Sequence, residues 1–372
     1  MHYLNHAGTS HPKPRDVLEA TTLAMSADPE SWGALYESAH ARACRHFALP
    51  DPSRFLFTTG CTQSLAMAFT SIDWRGGDRI LMSGVEHHAL SRWPQHLATT
   101  QGISWDTLPY TTGAPVRMED LQRELSCGDV RLVAVTMASN VTGELLPIAP
   151  ICALAKEYGV PVLLDAAQVA GVAPVDVRLL DPDLFVFSGH KGPQGPQGVG
   201  GFYAAPRMQL TTPAASCAPP SDPQRLDRCA SSLSFCDVGS VTLASAAGLA
   251  AGLGWLEAHE RSTLERTRPM MRPVLELLDD HPQVTVYGAL DAPRIPLVSF
   301  THATMTPSEL ERELRARGVM GRAGLHCAPL AHETLGALDG TMRLSMGATT
   351  THDIARDVLA ALKDVLGGHP GR

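Results

Sequence analysis

At 372 residues, 44% hydrophobic and 18% charged, the chain is long enough for a large domain with a smaller partner and too apolar to be disordered. Its net charge of −8, with no Lys/Arg cluster, excludes the electrostatic footprint of a nucleic-acid binder. No apolar run reaches the roughly 20 residues that span a bilayer, and the polar start Met1 to His6 does not read as a signal peptide, so a cytoplasmic location is expected.

Apolar runs at residues 55–59, 79–83, 131–136, 160–164 and 184–187 alternate with helical stretches, which predicts an α/β fold with a mainly parallel sheet and helices on both faces. In such a sheet the functional residues gather just past the carboxyl ends of the strands. Residues 205–230 carry five prolines (Pro206, Pro213, Pro219, Pro220 and Pro223) and read as an irregular excursion. An Ala/Gly/Leu helix over 242–259 follows. Then comes a second α/β pattern: helix 262–279, strand 296–300, helix 307–317, strand 341–345 and helix 352–366. The expected division is a large domain over 11–252 and a smaller one formed by 1–10 with 253–372.

Four segments carry chemistry. Phe57-Thr-Thr-Gly60-Cys61-Thr62 runs from a strand into a helical pattern, and the free N–H groups of a helix start, with the Thr62 hydroxyl, make an anion cup. Read alone, it is equally an ordinary helix cap. Ser83-Gly-Val-Glu86-His87-His88 ends a strand in an imidazole able to stack on a flat ring. Val160-Pro-Val-Leu-Leu-Asp165-Ala-Ala-Gln168 delivers a carboxylate at the end of an apolar strand, where it suits a protonated ring nitrogen as well as a helix cap. Gln168, one loop later, is placed to donate to a phenolic oxygen. Finally, Asp183-Leu-Phe-Val-Phe-Ser188-Gly189-His190-Lys191-Gly192 sets a lysine after an apolar strand, where desolvation makes an amine nucleophilic toward an aldehyde, and places Ser188 to hold a phosphate.

In order and spacing these segments resemble the class V aminotransferase-fold family, most closely its cysteine desulfurase and selenocysteine lyase branch. The resemblance extends through Tyr3-Leu4-Asn5-His6, Ser139-Asn140-Val141-Thr142-Gly143-Glu144 and Arg322-Ala323-Gly324-Leu325-His326-Cys327. It implies a pyridoxal 5'-phosphate enzyme of fold type I, with a seven-stranded sheet in the large domain. Lys191 then carries the cofactor as a Schiff base, Asp165 meets its ring nitrogen and His87 stacks on the ring. Gln168 and Asn140 lie near the cofactor oxygen and the substrate, while Cys61, Thr62, Ser188 and His190 hold the phosphate. Asp237-Val238-Gly239-Ser240 resembles the segment that enters a neighbouring subunit's phosphate site, which implies a homodimer.

The reaction turns on two further residues. Arg343, in Gly340-Thr-Met-Arg343-Leu-Ser345, presents a guanidinium fork suited to an α-carboxylate, and Arg322 is a second candidate for substrate binding. Eight cysteines (Cys44, Cys61, Cys127, Cys152, Cys217, Cys229, Cys236 and Cys327) contain no CxxC pair and read as reduced thiols. By resemblance, Cys327 is the thiol that takes sulfur from L-cysteine as a persulfide and passes it to an acceptor protein or small-molecule pathway, leaving L-alanine. A carbon–sulfur β-lyase or selenocysteine lyase on the same scaffold is the alternative. The chain departs from the usual desulfurase pattern at His6, Gln63 and Thr242 and in the proline-rich 211–223 stretch.

Overall fold

The computed structural model describes residues 1–211, 242–259 and 261–367. After the short strand β1 (His2–Tyr3), the first half of the chain supplies β2 (Phe55–Thr58), β3 (Arg79–Ser83), β4 (Ser104–Leu108), β5 (Val130–Thr136), β6 (Val162–Asp165), β7 (Leu184–Ser188) and β8 (Gly200–Ala204). These seven strands form one sheet in the order β2-β8-β7-β6-β5-β3-β4. Only β8 runs against its neighbours; β3, β4, β5, β6 and β7 pair in parallel. The near-continuous apolar sequences of β3, β5, β6 and β7 follow from burial on both faces of a parallel sheet.

The expected strands are all present within a few residues, and the seven-stranded, mostly parallel sheet agrees with the expectation. Within this sheet, two strands carry no signal in the sequence. β4 is a largely exposed edge strand with a polar sequence, and β8 opens with Gly200 and Gly201, which carry no strand signal. Those glycines are dictated by packing. A Cβ on Gly201 would stand 2.2 Å from the Phe187 ring and 2.6 Å from the Phe55 ring, inside the cluster of Phe47, Phe55, Phe57, Phe185 and Phe187 that fills one face of the sheet.

The C-terminal part adds β9 (Val284–Tyr287), β10 (Leu297–His302), β11 (Val319–Met320), β12 (Arg322–Gly324) and β13 (Thr341–Ser345). Four of them form an antiparallel sheet in the order β12-β13-β10-β9. Its own core joins Leu4 to Met271, Leu275, Phe300, Leu344 and Val358. Helices Thr263–Asp279 and Pro307–Ala316 cover it, each opened by a capping box (Ser262 with Glu265, Thr306 with Glu309). The N-terminal segment crosses to this part of the chain, β1 and β11 forming a separate two-stranded parallel sheet and Asn5 bridging to Ser345 of β13. Most of the proline-rich excursion, with Ser240, Cys217, Cys229 and Cys236, lies outside the described residues. No described helix is long and apolar enough to cross a membrane.

Because Gly201 faces two buried rings, Gly201→Ala is expected to cost about 1–3 kcal/mol through overpacking. A urea titration should show a lower midpoint at an unchanged slope.

Candidate active site

The carboxyl ends of β3, β5, β6 and β7 open into a cavity of about 570 Å³. Lys191, Asp165, Gln168, His87, Cys61, Thr62, Ser188, His190, Asn140, Arg322, Cys327 and Arg343 all line it, together with Asn5. Thus every expected site residue among the described ones reaches the same space.

Asp165 ends β6 and is 2% exposed. Both hydrogen bonds to its carboxylate fall on Oδ1, from the Ala167 N–H at 2.8 Å and the Cys61 thiol at 3.3 Å. Oδ2 accepts none among the described residues. Burial raises the Asp165 pKa, and the Ala167, Cys61 and Lys191 contacts only partly offset it, so a cation on Oδ2 would restore the charge. The Cys61 thiol is therefore turned toward Asp165 and not toward a phosphate; what this residue offers an anion is its backbone N–H, at the first position of helix Cys61–Thr70.

Lys191 follows β7 by three residues, and the turn after it packs backbone to backbone. A Cβ on Gly192 would lie 2.1 Å from the Ala170 carbonyl oxygen. Burial is the largest influence on the Lys191 ammonium and lowers its pKa; Asp165 and Cys61 pull it up and Arg343 pushes it down. The amine makes no hydrogen bond to a described residue. His190 is fixed beside it, its Nδ1 3.0 Å from Thr9 Oγ1 and its carbonyl accepting from Ser10 N at 3.1 Å and Lys13 Nζ at 2.8 Å. Gln168 Nε2 donates to the Ala7 carbonyl at 3.1 Å.

His87 caps helix His88–Gln101, its Nδ1 accepting from the Ala89 N–H at 3.1 Å. This leaves Nε2 facing the cavity. Burial, then Lys191 and other nearby cations, push its pKa down to about 3, so the ring is neutral. Glu86, the residue before it, has a role that its sequence context does not signal. Its carboxylate is fully buried and accepts from Thr136 N at 2.9 and 3.0 Å and from Ser83 Oγ, which ties β3 to β5. Burial pushes its pKa up to about 8.

The other wall comes from the smaller sheet. Arg343 is 4% exposed and lies directly opposite Arg322 across β13 and β12. It donates from Nη1 to the Asn140 carbonyl at 2.9 Å and from Nη2 to Asn5 Oδ1 at 3.1 Å, while its buried Nε has no partner. Burial lowers its pKa to about 10, Cys327 opposes this and Arg322 adds to it. Arg343 forms no ion pair with a carboxylate among the described residues, so two facing guanidiniums await an anion. Asn140 turns its side chain to the His326 carbonyl, Nδ2 donating at 2.8 Å. Its loop is anchored by buried Glu144, which accepts from Tyr110 OH at 2.7 Å and Gly113 N at 2.8 Å, and by Arg294, which donates to the Thr142 and Leu297 carbonyls at 2.8 and 2.9 Å.

Cys327 is exposed and free, whereas Cys44, Cys61 and Cys152 are buried and free. Its thiol lies within 4.8 Å of ring nitrogens of both His87 and His88. The backbone of His326 and Cys327 is left-handed, at φ 48° and 56°, a conformation that costs a non-glycine residue roughly 1–3 kcal/mol.

The donor set fits pyridoxal phosphate. It offers a nucleophilic amine, a buried carboxylate with one open oxygen, a flat neutral imidazole, and a helix start with Thr62, Ser188 and His190 at the anion end.

The depressed imidazoles give a pH signature. Burial pushes His6 to about 4, His87 to about 3 and His190 to about 4, whereas an unfolded histidine protonates near 6.5. Between these values the unfolded chain binds more protons, so their stability contribution is present above pH about 6.5 and lost on acidification. Glu86, shifted upward, opposes this. The melting temperature is expected to fall from pH 7 to pH 4.5, and to fall more steeply in Glu86→Gln.

The Aminotransferase class-V family model matches residues 2–356. A cysteine desulfurase from Pectobacterium atrosepticum is 32% identical over 343 residues, covering 88% of this chain and 82% of that protein. A probable cysteine desulfurase of Mycolicibacterium paratuberculosis is 28% identical over 90% of this chain, which spans only 49% of that relative's length. The crystal structure of the cysteine desulfurase CsdA (S-sulfonic acid) from Escherichia coli superposes with a TM-score of 0.88 at 27% identity, covering 98% of this chain and 94% of that one. With its fold, its cavity and a family match over nearly its whole length, the chain belongs to the class V aminotransferase family of pyridoxal-phosphate enzymes.

Proposed function

We propose that the chain is a cysteine desulfurase that converts L-cysteine to L-alanine and stores the sulfur on Cys327 as a persulfide. The observation that carries this reading is the placement of an exposed thiol, Cys327, in the same cavity as Lys191 and the carboxylate-binding Arg343. Relatives named as cysteine desulfurases support it.

Pyridoxal phosphate supplies an electron sink for the bond changes at the substrate's Cα and Cβ. Lys191 would hold it, Asp165 would face its ring nitrogen, and Thr62, Ser188, His190 and the helix N–H groups would take its phosphate. Arg343, with Arg322 opposite, binds the α-carboxylate and fixes the orientation of Cα. The Lys191 amine, its proton affinity lowered by burial, moves the Cα proton. Cys327 Sγ attacks the substrate sulfur. The Cβ–S bond breaks, an S–S bond forms, and Cβ gains a proton, so RSH and cysteine become RSSH and alanine with no net oxidation.

Four further assignments belong to the same proposal. The chain divides into residues 11–252 and a smaller unit of 1–10 with 253–372, supported by the separate core that joins Leu4 to the C-terminal helices. It acts as a homodimer, Ser240 entering the neighbouring phosphate site; the motif at 237–240 supports this, as does the groove that Leu23, Ala24 and Trp255 help to line. A reducing, cytoplasmic setting suits the free thiols. The acceptor is a protein or small molecule that takes sulfane sulfur.

Lys191→Ala is expected to abolish the absorbance band near the visible edge of the cofactor-loaded protein, together with activity. Cys327→Ala should keep that band and lose alanine formation from L-cysteine by at least about 100-fold. Alanine formation at the wild-type rate in Cys327→Ala would overturn the persulfide reading, and release of pyruvate and sulfide by the wild type would identify a lyase instead.

A further inference from the structure

We propose that His326 is the positioning residue for Cys327, a ring latched onto Thr341 that holds the nucleophile at the cavity mouth. This inference rests on the desulfurase reading and adds a residue to it. Two consecutive non-glycine residues in left-handed backbone do not stay there unaided, so the loop needs anchors, and four converge on it. The His326 ring places Nε2 at 3.1 Å from the Thr341 carbonyl and 3.0 Å from Thr341 Oγ1. A carbonyl only accepts, so Nε2 carries the hydrogen and donates. His332 reaches the same hydroxyl through Nε2 at 3.3 Å, and its Nδ1 donates to the Ala328 carbonyl at 2.9 Å, which steadies the residue after the thiol. The His326 carbonyl accepts from Asn140 Nδ2 at 2.8 Å, and the Cys327 carbonyl accepts from the His88 N–H at 2.8 Å.

These anchors share supports with the substrate site. Thr341 precedes Arg343 by two residues on β13, and the Asn140 that holds the His326 carbonyl also accepts from Arg343 Nη1. The guanidinium that fixes a substrate carboxylate and the loop that aims the thiol are thereby set from one strand and one asparagine. Burial and the nearby Arg343 depress the His326 pKa to about 2, so the latch stays neutral through the working pH range.

A positioning role predicts a split between substrates. L-cysteine needs the Cys327 attack. β-Chloro-L-alanine does not: once Lys191 has taken the Cα proton, chloride leaves Cβ, and water converts the remainder to pyruvate and ammonium, a sequence that needs the cofactor, Lys191 and Arg343 but no thiol. In the cofactor-loaded protein, His326→Ala is expected to slow alanine formation from L-cysteine by about 10–100-fold, the scale of a nucleophile misplaced by roughly 1 Å. Pyruvate formation from β-chloroalanine and the absorbance band should stay within about twofold of wild type. His326→Phe keeps the ring's volume without the donor and should show the same split, and it carries the test if the alanine variant does not fold. His326→Gln, which retains a donor, should recover part of the lost rate. Equal losses on both substrates in the folded variants, or an alanine rate within about twofold of wild type, would overturn the assignment. Cys327→Ala in the same assay separates the two claims. If it abolishes alanine formation while His326→Phe does not, only the latch fails; if it leaves the rate intact, the persulfide reading fails and the latch with it.

Discussion

The site is organised by a carboxylate in a place where a bare charge is expensive. Asp165 sits at the end of a central strand, 2% exposed, with one oxygen occupied and the other open to the cavity. In a low-dielectric interior an unpaired charge is costly, and a cation at the right distance recovers much of that cost. Lys191 shares the enclosure, and burial drives its proton off just as it drives one onto Asp165. The two shifts prepare opposite chemistries: a carboxylate that seeks a protonated ring nitrogen, and an amine that is free to react with a carbonyl carbon.

The second constraint is mechanical. Asp165 ends a strand of the seven-stranded sheet and Lys191 lies in the loop after another, whereas Arg343 and Cys327 belong to the four-stranded one or to its loops. Chemistry requires these two walls to be held in register. Asn140 bridges them by binding Arg343 with its carbonyl and His326 with its amide. Its loop is itself clamped between Glu144 and Arg294, so the bridge is rigid at its base. Substitutions at Glu144 or Arg294, neither of which lines the cavity, therefore act on the alignment of the two walls.

Much of this was legible in the sequence because strands buried on both faces write long apolar runs, and because Asp165 and Lys191 follow such runs directly. Glycine and proline mark the backbone turns around Lys191. What could not be read has identifiable physical causes. β8 was invisible because its glycines are set by the volume of Phe187 and Phe55, which are distant in sequence. The Cys61 side chain was assigned to the anion end, since a helix start says where N–H groups point and nothing about the rotamer of its first residue; its partner, Asp165, lies 104 residues away. Glu86 and His326 stand next to residues that were singled out, yet their roles arise from Thr136 and Thr341, which only the fold brings near.

The N-terminal segment bears on how the molecule comes into being. Asn5 meets Arg343 across 338 residues, and Ala7 N donates to Ser345 Oγ across the same separation. At a synthesis rate of ~5–20 residues per second, the first partner waits roughly 20–70 seconds on the ribosome for the second. The strands that carry Asp165 and Lys191 are complete long before that. Asp165 and Lys191 are thus made well before Cys327 and Arg343, and the cavity they share is closed only when β13 meets Asn5 and Ala7.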